Sequence, residues 1–61
     1  MSMSEAHIRE LLEYWRMSSA YCDGRHERMA WAAKRFCKQH PSYPVNTAYI
    51  ALSRHLNEVA S

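Results

Sequence analysis

The chain contains a single glycine, Gly24, and two prolines, Pro41 and Pro44, and these are its only strong backbone punctuation. A turn-rich β-sandwich or barrel uses many more such residues, so the composition disfavours one. A phosphate-cradling loop, which needs several glycines, is excluded on the same ground. What remains between the breaks is three segments with helical periodicity, and the sequence predicts an all-α, three-helix protein.

The first helix is predicted from about residue 4 to 21. Ile8, Leu11, Leu12 and Trp15 follow the i, i+3, i+4, i+7 spacing of a buried face, and Cys22 prolongs it by a turn. Ser2 and Glu5 stand at capping-box spacing, with Ser4 as an alternative N-cap. Glu5, Arg9, Glu13 and Arg16 form an ion-pair ladder on another side. Gly24 reads as a left-handed helix stop. The second helix is predicted from about 25 to 39, with Asp23 as a possible N-cap and Met29, Ala32, Ala33, Phe36 and Cys37 as its apolar face. Pro41 forces its end, because the residue before a proline is driven out of the helical region. Pro44 suits the first turn of a third helix, about 44 to 60, whose buried stripe is Val45, Ala48, Tyr49, Leu52, Leu56 and Val59.

At 61 residues the chain is one small domain, 1–61, with a marginal core. Domains of this size usually need a disulfide, a metal or a partner subunit. Cys22, His26, Cys37 and His40 have the order of a zinc site, but His26 and Cys37 lie on one predicted helix, about 16 Å apart at 1.5 Å per residue. The same spacing disfavours a Cys22–Cys37 disulfide. No metal or cofactor is expected. Cys37 and His40 are a conceivable thiol–imidazole pair, yet no third orienting group or oxyanion site accompanies them, and the chain is read as no enzyme.

A partner subunit is the remaining option. Met3, His7, Tyr14, Met17 and Tyr21 form a second stripe on the first helix. Tyr14, Met17 and Tyr21 are therefore the candidate self-association residues, and the expected assembly is a homodimeric helical bundle. The net charge of +2 is unevenly spread. Residues 25–40 hold Arg25, Arg28, Lys34, Arg35 and Lys38 against Glu27, while residues 1–24 hold Arg9 and Arg16 against Glu5, Glu10, Glu13 and Asp23. Arg28, Trp31, Lys34, Arg35 and Lys38 share one helix flank and are the candidate face for a protein partner or nucleic acid. A helix-turn-helix with Asn46, Thr47, Ser53 and Arg54 as readers is conceivable. The two-proline connection and the placement of charge on the preceding helix count against it.

No segment approaches the roughly 20 apolar residues of a membrane span, and charges at Glu5, Arg9, Glu10 and Glu13 interrupt any signal-peptide core. The expectation is a cytoplasmic protein without membrane partners. The start Met1-Ser2-Met3-Ser4-Glu5, the His-, Met- and Trp-rich helices, and the stretches Arg25-His26-Glu27-Arg28-Met29-Ala30 and Tyr43-Pro44-Val45-Asn46-Thr47-Ala48-Tyr49 resemble the small early-region accessory proteins of lambdoid bacteriophages. The resemblance covers the chain's general style, has no diagnostic motif and transfers no residue roles. It implies a non-enzymatic host- or phage-regulatory protein made in the bacterial cytoplasm that acts by binding a host or phage protein or, alternatively, DNA. The homodimer expectation comes from the small size and the second stripe on the first helix.

If the three helices need neither metal nor disulfide, far-UV circular dichroism in EDTA and reductant shows full helicity. Its loss under those conditions would contradict the reading.

Overall fold

A computed structural model describes residues 3–60. The elements are α1 (Glu5–Ser18), α2 (Arg25–Gln39) and α3 (Val45–Ala60), with no strand among the described residues. The chain is folded into a flattened shape of 29 × 28 × 17 Å. The middle helix α2 packs against both neighbours, whereas α1 and α3 meet each other much less.

This arrangement follows from residue size. Ala32, Ala33 and Phe36 of α2 have no exposed surface, and Met29 is nearly as deep. Alanines let helix backbones approach closely, and Phe36 fills the space between them. Leu11 from α1 and Ala48 and Leu52 from α3 complete the buried cluster. Ile8, Leu12 and Trp15 are half-buried around it, so the expected α1 face is present with Leu11 as its deepest member. On α3 the stripe is buried only in the middle: Val45 is exposed and Val59 is 73% exposed, because the contact with α2 is centred on Ala48 and Leu52.

The helix ends show where local chemistry differs from the periodicity. Ser4 is the N-cap of α1, its Oγ accepting from the His7 backbone N–H at 3.3 Å. Ser2, the other candidate cap, lies outside the described residues. Met3, expected on a second surface stripe, is instead buried in the core. Met3 and Ile8 hold the N′ and N4 positions of a hydrophobic staple, which fixes the entry of the chain into α1.

The α1 helix ends three residues earlier than the expected Tyr21. The Ser18 hydroxyl donates to the Trp15 carbonyl and the Ser19 hydroxyl to that of Arg16. Such local serine bonds compete with helix continuation. The backbone then tightens into successive turns, Ala20 N–H to Met17 O at 3.1 Å and Tyr21 N–H to Ser18 O at 3.0 Å. Cys22 consequently sits in the connection, half-buried, with its N–H on Ser18 O.

Gly24 corrects the reading of the α1–α2 break. Its φ is −80° and ψ 150°, extended backbone that any residue adopts, and no described residue has positive φ. It is the N-cap of α2, in place of Asp23, and it supplies no side-chain cap bond. The α3 start is closer to expectation: Pro44 immediately precedes Val45, and its carbonyl accepts from Ala48 N–H at 3.3 Å. The Glu5, Arg9, Glu13, Arg16 ladder reduces to one loose, exposed pair, Arg9–Glu5 at 3.9 Å, the kind of contact that contributes little.

Because Gly24 is extended and a Cβ there would meet only the Glu27 side chain at 3.9 Å, Gly24→Ser should stabilise the protein by about 0.5 kcal/mol through capping and lower unfolded-state entropy. Urea denaturation checks this. A loss of about 1 kcal/mol or more would indicate the left-handed geometry instead.

Candidate binding surface

The two groups of residues singled out from the sequence lie on different helices, and the fold brings most of them together. The flank of α2 that carries positions 28, 31 and 35 turns toward α1, while Lys34 and Lys38 point further outward. Tyr21, just beyond α1, stacks on Trp31 with ring centroids 5.1 Å apart and planes inclined by 17°. The Arg35 guanidinium lies 5.9 Å from the Trp31 ring centroid and is near enough to Tyr14 to favour its phenolate. Tyr21, Trp31, Arg35 and Tyr14 thus form a chain of neighbours, and Lys34, Lys38 and Met17 are exposed.

Two features of the expected self-association stripe change as a result. Tyr14 is half-buried against the core, and its hydroxyl donates to Glu10 Oε2 at 3.3 Å. Burial raises its phenol pKa, the Glu10 charge and hydrogen bond raise it further, and Arg35 opposes them. Tyr21 has Trp31 as its partner, although the residue is still 68% exposed. Met17, at 44% exposure, is the member of the stripe that keeps the character the sequence suggested.

Arg28 also leaves the candidate face. Its guanidinium lies 3.9 Å from the Trp15 ring centroid. Nε donates to Ser18 Oγ at 3.0 Å and Nη2 to the Trp15 carbonyl at 3.1 Å. Ser18 is completely buried. Arg28 therefore closes the C-terminal end of α1 from the neighbouring helix, sharing the Trp15 carbonyl with the Ser18 hydroxyl and placing a cation at the helix's negative end. It is a structural residue.

The remaining cations are different. The ion pairs among the described residues are Arg9–Glu5 and His40–Glu10. Lys34, Arg35 and Lys38 have no carboxylate partner there, and all three are exposed. No α1 carboxylate among the described residues forms an ion pair with them, and Glu10 is hydrogen-bonded to Tyr14 and His40. Glu27 lies on the same side of α2, but its side chain comes close to Gly24 at the helix N-terminus, away from Lys34 and Lys38.

Sequence reasoning missed a second cluster, which joins α1 to the α2–α3 connection. His40 Nε2 donates to the Glu10 carboxylate, 3.0 Å from Oε1 and 2.9 Å from Oε2. The His40 ring stacks on Phe36 at 4.5 Å and lies 4.6 Å from His7. His7 Nδ1 and Tyr43 Oη are 2.9 Å apart. The only sequence signal was the matched i, i+3 spacing of His7 with Glu10 and of His40 with Tyr43. His26, a member of the zinc-like pattern, is exposed and pairs with Tyr49 Oη at 2.7 Å. Among the described residues no three His, Cys, Asp or Glu side chains converge on a metal position. The conceivable Cys37–His40 pair does not form: His40 is engaged by Glu10, and burial pushes the Cys37 thiol pKa up, making it a poorer nucleophile.

The would-be reader helix is divided. Thr47 and Arg54 line an open groove of about 360 Å³ between α3 and the start of α1, together with Met3, Ile8, Ile50 and His55. Asn46 is exposed outside that lining, and Ser53 is half-buried. These four do not form one exposed row.

Removing Arg28 should therefore damage the fold rather than a binding face. Arg28→Ala is expected to cost about 1.5–3 kcal/mol, the range for hydrogen bonds to a charged group. Arg28→Lys should recover little, since lysine lacks the planar fork. Urea titration and faster amide exchange at Tyr21 and Cys22 test this, and a silent Arg28→Ala would return the residue to the surface group.

No protein-family model, curated protein or solved structure matches the chain, so its chemistry is read from its own residues.

Proposed function

We propose that this protein is a non-enzymatic regulatory binding module whose contact surface is the α2 face around Trp31, and that its partner is a nucleic acid. The observation that carries this reading is the placement of Lys34, Arg35 and Lys38, exposed and without carboxylate partners among the described residues, beside the Tyr21–Trp31 stack. Clustered cations bind phosphates by releasing condensed counterions. Adjacent aromatic rings add contacts to sugar or base. This reverses the order suggested by the sequence, in which a protein partner came first, because Tyr14 is drawn into the fold and Tyr21 joins the cationic patch. The likeness to phage early-region proteins supports a regulatory role in the bacterial cytoplasm. No helix among the described residues is long and apolar enough to cross a membrane.

A protein partner, with a second copy of the chain as the first candidate, is the second reading. Met17 on α1 and Ile50 on α3, 44% and 52% exposed, favour it. Small domains commonly gain stability by burying such residues between subunits. Sedimentation velocity separates the cases: dimerisation lost in Met17→Glu supports it, and a monomer at high micromolar concentration removes it. Tyr14→Glu is a poor probe, since that side chain is packed against the core.

Three phosphate contacts correspond to a salt slope of about −2 to −3 in log K against log salt, or about 20- to 40-fold weaker binding between 50 and 200 mM salt. Gel shifts or anisotropy measure it. Lys34→Glu with Lys38→Glu should abolish binding while leaving helicity intact. Absence of binding at low salt and micromolar protein would overturn the proposal.

A further inference from the structure

We propose that the nucleic acid bound is single-stranded and that Tyr21 is its base-stacking platform. The inference rests on the nucleic-acid reading above and names the substrate class of the same surface. One face of the Tyr21 ring is covered by Trp31, 5.1 Å away and nearly parallel. The residue is nonetheless 68% exposed, so the opposite ring face is open to solvent. A flat π-system laid there extends the column from Trp31 through Tyr21.

The Trp31–Tyr21 stack is already in place without a ligand. Trp31 is half-buried against the core, and the Tyr21 N–H is tied to the Ser18 carbonyl at 3.0 Å. Packing of the Trp31 ring limits the freedom it can lose on binding, and the Tyr21 backbone is held where its ring meets that surface. Phosphates flanking a stacked base have cations within reach. Arg35 sits over Trp31, and Lys34 and Lys38 follow on α2, one helical turn, about 6 Å, apart.

This geometry selects for single strands by chemistry. The faces of duplex bases are occupied by their own neighbours, so a duplex can offer only phosphate and groove edges to this surface. An unpaired base offers a free face, and stacking on an aromatic side chain tolerates any base. Single-stranded DNA and single-stranded RNA share that chemistry.

Fluorescence anisotropy on the intact chain tests it with five labelled probes of equal length or charge: oligothymidylate, oligouridylate, an abasic deoxyribose-phosphate strand, a DNA duplex and polyglutamate. The expected result is that at least one of the two base-bearing strands binds about 10-fold or more tighter than the abasic strand, within the range of one stacked base. The tighter of the two identifies DNA or RNA as the source. Tyr21→Ala should reduce that strand to the affinity of the abasic one without changing abasic binding, and Tyr21→Phe should restore it. Circular dichroism verifies that each variant folds. Equal affinity for base-bearing and abasic strands, duplex binding as tight as single-strand binding, or a silent Tyr21→Ala would overturn the single-strand inference while leaving phosphate binding in place. Polyglutamate bound as tightly as the strands, or no binding by any nucleic-acid probe at low salt, would overturn the nucleic-acid reading itself.

Discussion

Ala32, Ala33 and Phe36 have no solvent-exposed surface, and both other helices are placed by where they meet this stretch of α2. Two alanines side by side make a close helix approach possible on either flank, and the phenylalanine occupies the space beyond them. A chain of this length has room for one such cluster. Residues a few positions away therefore have their environments decided by it: those toward α1 are covered, those toward α3 are covered, and the outer side of α2 is left to solvent.

The cations of α2 show how finely that division acts. Arg28, Arg35, Lys34 and Lys38 belong to the same basic run, yet they serve different ends. Arg28 faces α1 and is consumed in closing its C-terminus, with its guanidinium on Trp15 and its donors on Ser18 and the Trp15 carbonyl. Arg35 lies at the border, over Trp31. Lys34 and Lys38 lie beyond it. The short flanking serines of α1 are part of the same arrangement: by ending the helix at Ser18 they turn the chain so that Tyr21 lands on Trp31.

A second connection, made of His7, Glu10, Phe36, His40 and Tyr43, ties the first helix to the loop between the second and third. Its members satisfy one another: Glu10 accepts from both Tyr14 and His40, and His7 pairs with Tyr43. This use of Glu10 has a consequence for the surface, since the carboxylate of α1 that lies nearest Tyr14 is not spent on Arg35, Lys34 or Lys38. Among the described residues the basic patch forms no ion pair with a carboxylate of α1.

The sequence alone determined the three helices, the second and third to within a residue of their boundaries, and the apolar set of α2, because periodicity and proline act locally. It also separated the zinc-like residues by helix length. It could not determine which neighbour each flank would meet. Met3 looked like surface and is core; Gly24 looked like a left-handed stop and is an extended N-cap; Arg28 looked like part of a binding face and is a capping group. Those outcomes depend on the angle at which α1 crosses α2, which is fixed by contacts among residues distant in sequence. A hydrophobic pattern specifies that a face will be buried, but only the packed helices decide what lies against it, and the joining of Tyr21 to Trp31 is a product of that packing.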